Sequence, residues 1–207
     1  QTFDPTVVIA PPRILRQLLQ MAPRLSPRRV FSAAEKLETI DRSVIETGFG
    51  LQLGEIYMAT EGLLGVTCAE GRLHLAEDCM HFSFENVGNG LSRPVISDFS
   101  RRTQIMARYR LNDLLRLDER PCPCGSPLQV VEEIVGREDD VFLMCSPDGR
   151  IVELTPDILR NAIIDSDRGL MDFRLVQTGA TAVELHLPVD CPMRVKNAVA
   201  TNLSVLL

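Results

Sequence analysis

The segment YMATEG at residues 57–62 places three chemically useful side chains at the end of an apolar run. Tyr57 offers a flat ring, Thr60 a hydroxyl and Glu61 a carboxylate. These groups suit a nucleotide, because a ring can pack on a base, a hydroxyl can bind phosphate and a carboxylate can bind Mg²⁺. Strand ends in α/β proteins are frequent ligand sites. The alternative is an ordinary surface turn after a buried strand, and the segment alone does not decide between the two.

A second candidate site combines three cysteines and a histidine: Cys68, His74, Cys122 and Cys124. Two sulfurs one residue apart, with a Cys-x5-His pair elsewhere, can complete a tetrahedral Cys₃His zinc site. The Cys-Pro-Cys spacing is shorter than the usual Cys-x2-Cys spacing. We predict a structural zinc ion whose four protein ligands leave no position for catalysis. The alternative is four reduced side chains without a metal.

Composition and charge restrict the class of protein. A chain of 207 residues can form one large domain or two modest ones. The net charge of −6 and the lack of a Lys/Arg cluster argue against nucleic acid as the main partner. No apolar run approaches the length of a membrane span, and no secretory signal is visible. We therefore expect a cytoplasmic protein without a membrane partner, in which the six cysteines stay reduced.

The residues before Tyr57 follow a pattern that alternates strands and helices. Strands are predicted at 6–10, at 29–33 and in the run that ends at Tyr57. Helices are predicted at 13–21 and 41–47, the second stopping at Gly48. This order predicts two right-handed βαβ crossovers and a parallel sheet. After residue 62, short alternating strands predict an antiparallel meander, which suits a small barrel.

A charged, glycine-led segment, GREDD at residues 136–140, predicts a domain boundary. Beyond it the pattern is strand, strand, helix, strand, strand, helix, with Thr155 as the predicted N-cap of the first helix. This order suits a small α+β module. We therefore predict a large domain at residues 1–135 and a small domain at residues 136–207.

Four separated segments together resemble the adenylate-forming enzymes, which activate a carboxylate with ATP. They are AAE at 33–35, YMATEG at 57–62, RYRLND at 108–113 and GREDD at 136–140. With CPCG at 122–125, the chain is most similar to the phenylacetate–coenzyme A ligase branch, and within it to coenzyme F synthetase-like proteins. The resemblance spans nearly the whole chain. It implies the later part of the large ATP-binding domain, with a parallel βαβ part and a barrel-like region, followed by the small mobile domain.

The resemblance also implies roles for the residues at the base and the phosphates. Tyr57 would pack on adenine, with Ala34 and Glu35 forming the other edge of the base pocket. Thr60 and Glu61 would be catalytic, because the Thr60 hydroxyl would bind phosphate and the Glu61 carboxylate would hold Mg²⁺. For Tyr57, the alternative is a place in the core without a ligand.

The same resemblance implies roles for three residues further along the chain. Asp113 would accept both ribose hydroxyls, and Arg137 would contact the ribose or phosphate region. Asp139, in a hinge at 136–140, would be the pivot about which the small domain rotates between two catalytic poses. The alternatives are an ion pair of Asp113 with Arg110 and a solvated linker around Asp139.

The implied reaction joins a carboxylic acid, here expected to be aromatic, to AMP and then passes the acyl group to CoA. The expected cofactors are ATP or AMP, Mg²⁺ and a structural Zn²⁺, with CoA as co-substrate. The expected partners are a small-molecule carboxylate and a nucleotide, and a homodimer is one further state to test. Two alternatives stay open: adenylyl transfer to a deazaflavin-type coenzyme, and a nucleotide-binding module without catalysis.

The chain also departs from the family pattern. Members hold the ATP phosphates on a Ser/Thr/Gly-rich loop followed by Lys, and the sequence contains no such loop. Met58 and Asn112 stand where the family commonly has glycine. We therefore expect the C-terminal part of a longer protein, with little or no activity in isolation.

Overall fold

The computed structural model of the chain describes residues 4–21, 25–146, 148–167, 170 and 172–206. The chain divides into two compact units, Gln1–Ile134 and Val135–Leu207. Within the described residues, no helix is long and apolar enough to cross a membrane.

The first unit begins with three parallel strands and two helices. In chain order these are β1 (Val7–Ala10), α1 (Pro12–Met21), β2 (Arg29–Ala33), α2 (Thr39–Phe49) and β3 (Leu53–Ala59). Strand β2 lies between β1 and β3 and pairs with both in parallel. Leu15 of α1 and Ile45 of α2 share one buried cluster with strand residues, so both helices cover the same face of the sheet. The predicted order of strands and helices and the parallel sheet are confirmed.

Helix α2 is longer than the sequence pattern predicted. It continues through Gly48 and ends at Phe49, and Gly50 caps it in the left-handed conformation with φ of 64°. Gly48 instead permits close packing of the two helices, because a Cβ there would lie 2.4 Å from Cδ1 of Leu19. The predicted stop at Gly48 was wrong because a glycine near a helix end can serve packing as well as termination.

Seven antiparallel strands complete the sheet of the first unit. They are β4 (Gly62–Thr67), β5 (Leu73–Leu75), β6 (His81–Gly88), β7 (Leu91–Asp98), β8 (Met106–Arg110), β9 (Asp113–Asp118) and β10 (Val130–Arg137). The sheet has ten strands in the order β1-β2-β3-β4-β5-β10-β9-β7-β6, with β8 paired to β7. One buried cluster takes side chains from every strand from β3 to β10. These strands therefore surround a common core, in agreement with the predicted barrel-like region.

The second unit has the predicted order ββαββα. Its elements are β11 (Phe142–Cys145), β12 (Ile151–Leu154), α3 (Pro156–Ile164), β13 (Arg174–Gly179), β14 (Ala182–His186) and α4 (Met193–Leu206). Each strand pair is an antiparallel hairpin. The Gln177 side chain joins the hairpins, accepting from the Leu143 backbone N–H (3.2 Å) and donating to the Leu143 carbonyl oxygen (2.7 Å). Ile163 and Val199, one from each helix, are fully buried in the core of this unit.

Candidate nucleotide site and candidate zinc site

Thr60 and Glu61 form the two-residue turn between β3 and β4, called here the 60–61 turn. Ala59 and Gly62 pair across the hairpin on either side of it. Thr60 is exposed and Glu61 is half-buried. Strand β3 is parallel to β1 and β2, so the turn lies at the carboxyl edge of the parallel strands. Ligands of α/β proteins commonly bind at this edge.

Tyr57 and Asp113, two of the predicted nucleotide-binding residues, are in direct contact. The Tyr57 hydroxyl donates to Oδ2 of Asp113 at 2.6 Å, a short bond of the kind formed when the acceptor is charged. Asp113 is the first residue of β9 and lies 56 positions after Tyr57. The Tyr57 ring is only 5% exposed and belongs to the core of the barrel-like region. Packing of this ring on adenine stays a prediction.

Glu61 has two further partners. Nη2 of Arg101, from the β7–β8 loop, donates to the Glu61 backbone carbonyl oxygen. The Glu61 carboxylate also raises the pKa of Tyr109, on β8, because a nearby acceptor with a negative charge favours the protonated phenol. Sequence reasoning assigned no role to either partner. Tyr109 lies inside the RYRLND segment, so the sequence could have identified it as a residue of the site. Nothing in the sequence singled out Arg101.

Ala34 and Glu35 lie directly after β2, at the same edge of the sheet. Ala33 pairs with Ile56, so Ala34 reaches the level of Tyr57 on the neighbouring strand. Ala34 is exposed and has φ of 70°, a strained torsion for a residue other than glycine. Such strain is most frequent at binding and catalytic sites. Glu35 forms an exposed ion pair with Arg13 at 3.2 Å.

Arg137 and Asp139 belong to the second unit. Arg137 is the last residue of β10, and Asp139 lies in a short 3-10 turn, Glu138–Asp140. Both residues are exposed. Gly136 packs tightly, since a Cβ there would lie 2.9 Å from Pro156 Cβ. The hinge and the nucleotide contact of Arg137 stay predictions.

The four predicted zinc ligands meet in the first unit. Their ligand atoms all lie within 4.8 Å of one another. Sγ of Cys68 lies 3.7 Å from Sγ of Cys122, and Sγ of Cys124 lies 3.5 Å from Nε2 of His74. Zinc bonds of about 2.3 Å to sulfur and about 2.0 Å to nitrogen, at tetrahedral angles, separate ligand atoms by roughly 3.5–3.8 Å. A disulfide needs sulfurs about 2 Å apart, so the observed spacing suits a metal ion better.

The surroundings of these ligands also suit zinc. Nδ1 of His74 lies 2.9 Å from the Leu128 carbonyl oxygen, and a proton on Nδ1 would leave the Nε2 lone pair for the metal. Burial raises the pKa of Cys68, but hydrogen bonds from the Arg72 and Glu70 backbone and from the other two cysteines outweigh it and lower this pKa to about 7. A thiol with such a pKa is readily deprotonated, as metal binding requires. The donor set and its geometry therefore fit a structural zinc ion.

Comparisons with known proteins locate this fold among acyl-activating ligases. No protein-family model matches the sequence. The search of curated proteins finds no significant match. Among solved structures, 2-hydroxyisobutyryl-CoA ligase in complex with R3-HIB-AMP aligns with a TM-score of 0.72 and 17% identity, over 96% of this chain and 49% of that chain. An ATP-bound RpMatB-BxBclM chimera aligns with a TM-score of 0.71 and 16% identity, over 98% and 45%. Anthranilate-CoA ligase AuaEII in complex with anthranoyl-AMP aligns with a TM-score of 0.66 and 11% identity, over 97% and 43%.

These alignments establish the fold. The chain has the α/β fold of the adenylate-forming enzymes, which confirms the resemblance at that level. It spans about half the length of the structures that it matches. The phenylacetate–coenzyme A ligase branch stays a prediction.

Proposed function

We propose that the chain is the C-terminal portion of an ATP-dependent adenylate-forming ligase. The observation that carries this proposal is the 2.6 Å bond between Tyr57 and Asp113, beside the 60–61 turn. Two segments far apart in sequence thereby meet at the edge of the sheet where a ligand is expected. In this assignment the first unit is the later part of the large ATP-binding domain, and the second unit is the small mobile domain.

Each group at this edge has a proposed task in nucleotide binding. Asp113 accepts the ribose hydroxyls, and the segment of Ala34 and Glu35 borders the base. Thr60 binds phosphate, and Glu61 contributes one carboxylate to Mg²⁺, whose remaining ligands are phosphate oxygens and water. Arg137 contacts the ribose or phosphate region, and Asp139 is the hinge residue. Catalysis by such a site consists mostly of positioning and charge neutralisation.

The proposed reaction is attack of a carboxylate on the α-phosphate of ATP, which gives an acyl-AMP and releases pyrophosphate. The CoA thiol, losing its proton, then attacks the acyl carbon, which forms the thioester and releases AMP. Two of the similar structures hold acyl adenylates, R3-HIB-AMP and anthranoyl-AMP, which supports the acyl-AMP step. A related structure of 2-hydroxyisobutyryl-CoA ligase holds CoA as well, which supports the thioester step. The anthranoyl group is aromatic, in line with an aromatic acid as substrate.

We further propose that Cys68, His74, Cys122 and Cys124 hold one structural zinc ion. The support is that their ligand atoms all lie within 4.8 Å of one another, with two pairs at 3.7 Å and 3.5 Å, and that a hydrogen bond fixes the His74 ring. The ion ties the turn after β4 to the loop before β10. It takes no part in the ligase chemistry, because four protein ligands complete its coordination.

Binding of AMP to the chain tests the nucleotide site. Asp113→Asn keeps the size of the side chain and an acceptor for the Tyr57 hydroxyl, but it removes the charge that suits both ribose hydroxyls. We expect about tenfold weaker AMP binding by isothermal titration calorimetry, since a hydrogen bond to a charged group contributes about 1.5–3 kcal/mol. The matched control is Glu119→Gln, at an exposed carboxylate just after β9. Equal affinity in Asp113→Asn and wild type would contradict the proposal.

The ligase reaction needs a separate test. In the protein that carries this chain, pyrophosphate release should depend on an added aromatic acid. If pyrophosphate release depends instead on an added deazaflavin-type coenzyme, the reaction is adenylyl transfer to that coenzyme.

A further inference from the structure

The 60–61 turn does not have the backbone of the commonest two-residue hairpin loops. Two-residue hairpin loops are usually of type I′ or II′, and both types need a positive φ at the first loop residue. Neither Thr60 nor Glu61 has a positive φ, and the following Gly62 adopts φ of 138° instead. The β3–β4 pairing also shifts register just before the turn, between Tyr57 and Met58. The positive φ falls on a glycine, which adopts it readily, and a contact from outside the hairpin adds to the hold on this turn.

Arg101 provides such a contact from the β7–β8 loop. Its Nη2 donates to the Glu61 carbonyl oxygen, and its Nε donates to Oδ2 of Asp98 at 3.1 Å. Asp98 is itself fixed, because it is 5% exposed and its Oδ1 accepts from both the backbone N–H (2.9 Å) and the hydroxyl (2.6 Å) of Ser100. The guanidinium thus connects a buried, fully bonded carboxylate to the turn.

Gly62 makes room for this guanidinium. A Cβ at residue 62 would lie 2.7 Å from Nη2 of Arg101, which is closer than such atoms approach in proteins. Tyr109 lies near the same turn, and the negative Glu61 carboxylate raises the pKa of Tyr109. The Glu61 backbone is therefore held by a residue outside the hairpin.

We propose that Arg101 is a positioning residue, which fixes the 60–61 turn so that Thr60 and Glu61 point at the nucleotide phosphates and Mg²⁺. The role rests on the proposed function. Arginine suits it because its donors lie in one rigid plane and can bridge two acceptors at fixed angles. A lysine has a single ammonium group at the end of a flexible chain, so it cannot reproduce this bridge.

The test compares Arg101→Met with Arg102→Met, which removes an exposed arginine from the next position of the same loop. Hydrogen exchange, read by mass spectrometry on ligand-free chain, reports the turn itself. We expect exchange in residues 60–62 to be at least tenfold faster in Arg101→Met and unchanged in Arg102→Met. Calorimetry with AMP, with and without Mg²⁺, reports the effect on the ligand. We expect Arg101→Met to weaken binding about 10–100-fold with Mg²⁺, the usual effect of losing a residue that orients a metal ligand, and less without it.

Three results would overturn the proposal. Unchanged hydrogen exchange in Arg101→Met would show that the turn does not need the bridge, whether or not AMP binding changes. Faster exchange together with unchanged Mg²⁺-dependent AMP binding would show that Arg101 does not position the nucleotide-binding groups. The proposed function would still stand. Full recovery of slow exchange and AMP binding in Arg101→Lys shows that charge matters rather than the bridge. A folded wild-type chain that binds no AMP overturns the proposed function itself, while the exchange measurement still shows whether Arg101 holds the turn.

Discussion

At the scale of single residues, Asp118 is a carboxylate held between two arginines. Nε and Nη2 of Arg120 donate to it at 2.9 Å and 2.7 Å, and Arg72 forms an ion pair with the same group. The Arg120 side-chain bonds, followed by its backbone bond, hold the pKa of Asp118 well below its usual range. Asp118 ends β9 shortly before the CPCG segment, so these bonds help to fix the approach to the candidate zinc site.

Asp118 should therefore make stability depend on pH in the acid range. Its pKa is lower in the folded chain than in the unfolded chain, so its stabilising effect is complete above about pH 4 and is lost as the pH falls through the folded pKa. In urea unfolding, the stability difference between wild type and Asp118→Asn should be largest near pH 6 and should shrink below about pH 4. Asp190→Asn, at an exposed carboxylate, is the control. A difference that stays constant from pH 6 to pH 2 would contradict this expectation.

Backbone torsions at two residues also point to the candidate nucleotide site. Among the described residues other than glycine, Ala34, Asn89 and Arg108 have a positive φ. Asn89 is a common residue type for this torsion, whereas alanine and arginine are not. Both unusual residues lie in segments that the sequence links to nucleotide binding, at 33–35 and 108–113. Local strain of this kind often accompanies function, so it is an independent reason to place the site there.

At the scale of elements, strand β4 connects the two candidate sites. Gly65 of β4 lies opposite Tyr57 of β3 on one side and Leu75 of β5 on the other. A Cβ at Gly65 would lie 2.5 Å from the backbone carbonyl oxygen of His74. The absence of a side chain therefore lets β4 approach the strand that carries His74, a candidate zinc ligand.

Gly65→Ala should damage the chain through this close approach. The colliding atom belongs to the backbone, so relief requires a shift of β5, and overpacking of this kind costs about 1–3 kcal/mol. We expect a lower free energy of unfolding in urea and weaker retention of zinc, because His74 moves with its strand. The control is Gly179→Ala, where the new Cβ would meet only Ala182 at 3.8 Å. Equal stability of the two variants would argue against a tight contact at Gly65.

At the scale of the whole molecule, the first unit can be observed by itself through tyrosine fluorescence. The chain has two tyrosines and no tryptophan, and both tyrosines, Tyr57 and Tyr109, lie in the first unit. All four candidate zinc ligands lie in the same unit. Tyrosine fluorescence therefore reports the part of the molecule that zinc should stabilise.

Removal of zinc should affect the first unit only. A strong chelator should lower the Tm seen by tyrosine fluorescence, because the ligands lose the ion that joins them. Hydrogen exchange in α3 and α4 should stay unchanged. Cys122→Ser should show the same lowered Tm without chelator, because one ligand is missing. Cys145→Ser, outside the four ligands, should keep about one zinc per chain. Purified chain with far less than one zinc would contradict the assignment.

Much of the fold could be predicted because it follows from local patterns. The parallel part, the antiparallel region and the ββαββα order depend on periodicity and turn residues that are visible within short windows. The end of α2 could not be predicted this way, since Gly48 serves a contact with Leu19 of another helix. Strand order was equally out of reach, because β10 pairs with β5 across more than fifty residues.

The sequence by itself determined which residue types are available for chemistry. It placed a ring, a hydroxyl and a carboxylate at 57–61, a carboxylate at Asp113 and four metal-binding side chains at 68–124. Only the tertiary structure decided which of these meet. It joined Tyr57 to Asp113, brought the four candidate zinc ligands within 4.8 Å of one another and set Arg101 against the 60–61 turn. The physical reason is that these contacts depend on the pairing and curvature of distant strands, which no local pattern encodes.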